Sequence, residues 1–168
     1  MTLNIKEASF GDRSYKFIYG AGSISEIHNQ TASLGLDTLK IIVVSHLEIQ
    51  NLYKDKVETA LEKTGRKIEW ILIPSGEKYK TLETVENLYL EFAKLKVTKR
   101  TPVVALGGGV LQDIVNYTSA TYLRGIPLIQ VPTTLLSQVD IGIGGCAVDH
   151  PQGKSLLGTF YQPKLAVL

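Results

Sequence analysis

The chain has 168 residues, 44% of them hydrophobic and 20% charged, with a formal net charge of +2. This suits one globular domain with a full core, and the interleaved charges contain no basic tract or aromatic-plus-basic motif for nucleic acid. The single cysteine excludes an internal disulfide and a CxxC metal knuckle, no apolar run approaches a membrane span, and the charged start "MTLNIKEASF" lacks a signal peptide's apolar region, so a soluble cytoplasmic protein is expected.

In chain order, "TLNIKEA" and "SYKFIY" alternate apolar and polar residues around "FGDR", which predicts two short strands and a turn. "GAGSISEI" predicts a helix start with Ser23 and Glu26 as a capping box and Gly35 as the stop. "LKIIVVS" is a continuous apolar run, as in a strand buried on both faces. A helix follows, with Ile49, Leu52, Tyr53, Val57 and Leu61 on one face and Gly65 at its end. "KIEWILI" is the next strand, stopped by Pro74, and Leu82 to Leu95 is an amphipathic helix burying Leu88, Phe92 and Leu95. "TPVVAL" is a strand, "GGGV" a turn, and a helix runs from there through Thr121. "IPLIQV" is a further strand, the glycine-rich stretch from Gln138 to Gly158 a long loop, and "KLAVL" a last strand. The alternation predicts an α/β fold: a Rossmann-like, mostly parallel sheet with helices on both faces, preceded by a short N-terminal strand pair, in a single domain over residues 1–168.

Ligands of open α/β sheets bind beyond the carboxyl ends of the strands. Ser45-His46, "PSGEKYK", "GGGVLQD" and "PTT" all fall there. In "GGGVLQD" glycines allow close approach of a pyrophosphate to a helix N-terminus, although Gln112 stands at the third glycine of GxGxxG, and a ligand-free tight turn is the alternative. Asp113 reads either as a ligand contact or as a first-turn acid favoured by the helix dipole. Glu77, Lys78 and Lys80 read as a site or a solvated loop, Thr133 as a crevice hydroxyl or a helix cap, and Arg124 as a phosphate clamp or a surface residue. Cys146, Asp149 and His150 suggest a metal or a thiol nucleophile, but His28 and His46 lie in distant segments and no base is evident beside the thiol. A small residue in a tight loop is the preferred reading of Cys146.

Taken together, "PSGEKYKTLETVENLYLEF", "VVALGGGVLQDIVNYTSATYLRGIPLIQVPTTLLSQVD", "HPQGKSLLG" and "FYQPK" resemble 3-dehydroquinate synthase, a sugar-phosphate cyclase. The resemblance covers nearly the whole chain and about the first half of that family. It implies an NAD-binding domain of a lyase of the shikimate pathway, which makes aromatic amino acids from a seven-carbon sugar-acid phosphate. The implied NAD contacts are Glu77, Lys80, Gly108, Gly109, Val110, Asp113, Thr133, Thr134 and Lys154, and the implied substrate contacts are Arg124 and Asp140. A divalent metal, zinc or cobalt, belongs to the family's second, helical domain, so the chain alone is expected to be inactive and to hold no metal. A homodimer is the implied assembly. The chain departs from the family's "VDSSIGGK" at Ile141, Gly142 and Cys146, the last replacing a lysine, and has Ser155 where the family has an asparagine. These departures leave open another sugar-phosphate cyclase, or a non-catalytic nucleotide-binding or interaction module on the same scaffold.

Overall fold

The computed structural model describes residues 3–9, 14–33, 39–141 and 144–168. The predicted "FGDR" turn, the Gly35 stop and Gly142 lie outside them. The elements run β1 (Asn4–Ala8), β2 (Tyr15–Tyr19), α1 (Ile27–Ser33), β3 (Lys40–Ser45), α2 (Leu47–Glu62), β4 (Lys67–Leu72), α3 (Leu82–Lys94), β5 (Val103–Gly107), α4 (Gly109–Thr121), β6 (Leu128–Pro132), α5 (Leu135–Val139), β7 (Cys146–His150), β8 (Gly153–Thr159) and β9 (Leu165–Val167), with single 3-10 turns at Ser23–Glu26, Glu77–Tyr79 and Tyr122–Arg124.

Seven strands form one sheet in the order β1-β2-β9-β6-β5-β3-β4. All neighbours are parallel except β1, which returns antiparallel along β2. The predicted strand pair and parallel sheet are both present. The inner strands are rich in Val and Ile because their alternate side chains enter two different cores. Ile42, Val44, Val103 and Ala105 pack with Leu88 and Phe92 of α3 and Leu111 and Ile114 of α4. Ile41, Val43, Val104 and Leu106 pack with Ile27 of α1 and Val57 and Leu61 of α2. Helices therefore cover both faces.

The chain passes outward from β3 to β4 and then crosses back to β5 on the other side of β3. That reversal opens a crevice at the carboxyl ends of β3 and β5. Its base is closed by the buried Ser45 hydroxyl, which donates to Leu106 O at 2.8 Å. His46 is buried beside it, its Nδ1 3.0 Å from Ile73 O, so this pair is structural in position.

Four local expectations need correction. Ser23 does not cap a helix: it lies inside the 3-10 turn, Gly22 with φ 87° precedes that turn, and the Ser23 hydroxyl donates to Leu168 O at 2.6 Å. Leu52 is 69% exposed, because the buried stripe of α2 runs through Ile49, Tyr53, Val57 and Leu61 at spacings of four. The cap of α5 is Thr134 rather than Thr133, with Thr134 Oγ1 accepting from Ser137 N and Ser137 Oγ accepting from Thr134 N. The long loop is largely a hairpin, with β7 antiparallel to β8. Cys146 and Val148 supply its buried face, an alternation too short to stand out among the glycines.

Candidate functional site

The turn from β5 into α4 shows three separate glycine roles. A Cβ on Gly107 would meet Leu111 Cβ at 3.1 Å, and one on Gly108 would meet Thr134 Cγ2 at 3.2 Å, so these two permit close packing. A Cβ on Gly109 would meet nothing within 4 Å, and Gly109 lines a cleft. Gly108 is the N-cap of α4 and no side chain caps that end. The first-turn N–H groups of a 13-residue helix therefore face the crevice with their dipole unanswered by a side chain. Gln112, at the fingerprint's third glycine position, braces the turn from inside: its Nε2 donates to Ala105 O at 2.9 Å and Gly107 O at 3.1 Å.

The cleft, of about 420 Å³, lies between α4, α5 and the β7–β8 hairpin. Gly109, Asp113 and Asp140 line it among the anticipated residues, and Gln112, Gln130, Ile141, Cys146, Ser155 and Phe160 line it with them. Gln130 was not anticipated, although a lone amide within the apolar "IPLIQV" is a visible signal of a polar function at a sheet surface. It is 3% exposed, and its Oε1 has no hydrogen-bond partner among the described residues.

Lys80 is 8% exposed, and its Nζ lies 2.5 Å from Asp113 Oδ2 and 3.5 Å from Ser155 Oγ. Burial pulls the Lys80 ammonium down, but the Asp113 hydrogen bond and the charges of Asp113, Glu77 and Asp149 outweigh it, leaving the pKa raised. Burial also pushes the Asp113 carboxyl up, with Asp140 and Glu77 adding repulsion and Lys80 opposing them. The two directions act oppositely on the ion pair; the short contact between the groups favours the ionised form. The hairpin is docked on the same lysine: Asp149 N donates to Lys80 O at 2.8 Å, and Ser155 N to Asp149 Oδ1 at 2.7 Å. At the rim, Lys154 Nζ lies 3.6 Å from Glu77 Oε1, both side chains being exposed.

The remaining anticipated residues are more dispersed. Val110 packs against the core shared by α3 and α4, leaving only its backbone at the helix start. Thr133 lines a separate pocket of about 340 Å³ with Tyr53, Lys56 and Leu106, and its buried Oγ1 has no partner among the described residues. Arg124 is exposed beyond α4, with φ 64°, and is not among the residues lining the cleft. Cys146 is 6% exposed and its Sγ lies 3.6 Å from Thr159 O. Burial, reinforced by the charge of Asp113, pushes its thiol up to about 12, against the opposing pull of Thr159 and Lys80. Among the described residues, no group of three or more His, Cys, Asp or Glu could hold a metal ion.

A parallel sheet with a strand reversal, and a glycine turn at the start of an uncapped helix end beside the resulting crevice, define a doubly wound α/β protein, a fold class whose ligands bind at the strand ends. The chain belongs to the 3-dehydroquinate synthase family, whose N-terminal profile matches residues 70–168. It is 37% identical over 167 residues to the 3-dehydroquinate synthase of Pelobacter propionicus, covering 99% of this chain and 46% of that protein. With the Microcystis aeruginosa 3-dehydroquinate synthase it shares 42% over 158 residues, 94% of this chain and 43% of that protein. The chain thus spans about half the length of the curated relatives it matches. Among solved structures, a 2-deoxy-scyllo-inosose synthase in complex with carbaglucose-6-phosphate, NAD+ and Co2+ superposes with a TM-score of 0.87 at 27% identity, over 98% of this chain and 45% of that one. A 2-epi-5-epi-valiolone synthase from Streptomyces hygroscopicus with NAD+ and Zn2+ gives 0.79 at 26% identity, over 95% and 44%. Among the described residues, no helix is long and apolar enough to cross a membrane.

Proposed function

We propose that the chain is the NAD-binding half of a sugar-phosphate cyclase of the 3-dehydroquinate synthase kind, acting in cytoplasmic biosynthesis of aromatic compounds. The observation that carries this reading is the start of α4. Its uncapped N–H groups open on a cleft at Gly109, where a side chain would occupy otherwise empty space. A dinucleotide's pyrophosphate suits that end through backbone donors and the helix dipole. The residues present fit NAD: Gly108, Gly109 and the Val110 backbone for the pyrophosphate, the unpartnered Thr133 hydroxyl and Thr134 at the neighbouring strand end, and Lys80, Asp113, Glu77 and Lys154 on the hairpin side. NAD would supply reversible hydride transfer at a ring hydroxyl. This chain's own residues bind and orient: Lys80 holds the Asp113 carboxylate toward the cleft, and Asp140 places a second carboxylate on the same wall.

The described residues do not fit a catalytic divalent metal. We assign zinc or cobalt, with phosphate elimination and ring closure, to the half of the relatives that this chain does not match; Arg124 would then act on substrate only in a larger assembly such as a homodimer. The alternative, that the enzyme is a cyclase acting on another sugar phosphate, draws support from the likeness to the inosose and valiolone synthases.

Titration calorimetry with NAD+ tests the reading. Weak saturable binding, reduced by Asp113→Ala, is expected; no heat at millimolar NAD+ would overturn it. The 168-residue chain should release no phosphate from the seven-carbon sugar-acid phosphate and retain no stoichiometric zinc after dialysis against a weak chelator.

A further inference from the structure

The β7–β8 hairpin loses its register at one point. Val148 pairs with Leu157 and His150 with Gly153, so Asp149 stands opposite three residues, Lys154, Ser155 and Leu156. The surplus residues form a bulge in β8, and a bulge beside a ligand site re-aims the side chains it carries. Ser155, at its middle, has φ 53°, a left-handed conformation that is unfavourable for a residue with a Cβ. Asp149 holds the bulge from both sides. Its Oδ1 accepts from Ser155 N at 2.7 Å, in place of a ladder carbonyl. Its own N donates to Lys80 O at 2.8 Å, and it bridges in parallel to Thr81. The half-buried Asp149 thus ties the bulge to the segment between β4 and α3, whose Lys80 pairs with Asp113 and lies 3.5 Å from Ser155 Oγ.

We propose that Asp149 is a positioning residue of the ligand site: it fixes the bulge so that Lys154 and Ser155 are presented to the ligand, and it acts through them. Asp149 is not among the described residues lining the cleft, whereas Ser155 is, and Lys154 reaches Glu77 at the rim at 3.6 Å. The role requires an acceptor oxygen at the end of a short side chain, not a negative charge. Asn offers that oxygen on the same frame. Glu keeps the charge but carries its oxygens one methylene further out. Ala leaves the Ser155 N–H without its acceptor and the left-handed backbone without its support. A lysine on a long flexible stem contributes most to binding when its backbone is already held in place. The inference rests on Lys154 contacting NAD in the proposed function, and adds a residue that does not itself touch the ligand.

The test is NAD+ affinity, by calorimetry, of the 168-residue chain and its Asp149→Asn, Asp149→Glu, Asp149→Ala and Lys154→Ala variants, and of the Asp149→Ala, Lys154→Ala double variant. Asp149→Ala and Asp149→Glu are expected to weaken NAD+ by roughly tenfold, and Asp149→Asn to stay within about threefold of the parent, since a charged contact is worth one to two decades. The double variant should bind within about twofold of Lys154→Ala, because a residue that acts through Lys154 has nothing left to position; a brace that serves stability alone would leave the affinity of each single variant at the parent value. The Ser155 amide proton should move upfield in Asp149→Ala and hold its place in Asp149→Asn. If Asp149→Ala does not fold, the contrast between Asn and Glu decides. Parent-like binding by Asp149→Ala or Asp149→Glu, an Asn variant as weak as these, or a double variant showing the product of the two single losses overturns the proposal. A parent chain that does not bind NAD+ overturns the cofactor reading and this role with it, whereas a parent that binds and an Asp149→Ala that binds equally well overturn this role alone.

Discussion

Gly109→Ala separates a glycine kept for a ligand from glycines kept for packing. The added methyl at residue 109 meets no atom within 4 Å, and the residue is already helical, so no steric cost arises. Exchanging Gly for Ala within a helix stabilises by up to ~1 kcal/mol, less at a first position, so the variant should melt at or slightly above the parent temperature. The methyl projects into the cleft where the pyrophosphate would approach the first-turn N–H groups. Losing one charge-assisted hydrogen bond costs about 1.5–3 kcal/mol, or one to two decades in NAD+ affinity. Gly107→Ala behaves oppositely: its methyl meets Leu111 Cβ, Cδ1 and Cδ2 at 3.1–3.2 Å in a full core, and overpacking of this kind costs about 1–3 kcal/mol. Thermal melts and calorimetry on both variants give the four numbers. If Gly109→Ala binds NAD+ as the parent does, the cofactor is not cradled at the start of α4.

A double-mutant cycle on Lys80→Met and Asp113→Asn should show a coupling of about 1–2 kcal/mol in urea unfolding, below the usual figure for a fully buried pair because Asp113 keeps 31% side-chain exposure. Because Lys80 is raised, its share of stability is fully present below the ordinary lysine value of 10.5 and lost as pH rises through the folded value, so on the alkaline side the coupling should vanish only at strongly alkaline pH, and on the acid side it should vanish as Asp113, whose carboxyl is pushed up, takes a proton. The Cys146 thiol is raised from 9.0 to about 12, so its term is complete below pH 9 and is lost between pH 9 and 12, up to about 4 kcal/mol; Cys146→Ala should flatten stability over that window, and iodoacetamide at pH 8 should modify the folded parent far more slowly than the unfolded chain. Gln112→Ala should cost about 1–3 kcal/mol by leaving the Ala105 and Gly107 carbonyls short of a donor, read in the same unfolding experiment.

The sheet could be read from the sequence because "KIIVVS", "PVVAL" and "LIQV" are mostly apolar runs, as expected of strands buried on both faces. The turn at Gly107–Gly109 and helix α3 were equally visible, through placement at a strand end and a clean buried stripe. The hairpin was not, because β7 has only Cys146 and Val148 to mark its inner face and β8 is mostly exposed. Nor could local pattern decide which threonine caps α5, or foresee that Ser23 would find the carbonyl of Leu168, a partner 145 residues away. The site was readable as a set of strand ends, but not as a geometry: Thr133 and Asp113 open on different pockets, while Lys80 reaches across to pair with α4 and carry the hairpin. Gln112 looked like a defect in a fingerprint; in three dimensions it braces the turn that the fingerprint serves.

The most direct measurement of the central claim is a residue-resolved titration of the nitrogen-15-labelled chain with NAD+. The account predicts saturable shifts at Gly108, Gly109, Val110 and Asp113 of α4 and at Thr133 and Thr134 of the adjoining strand end, with smaller changes at Lys80 and Lys154 where the hairpin docks. Shifts confined to other surfaces, or none at these amides at millimolar NAD+, would contradict it.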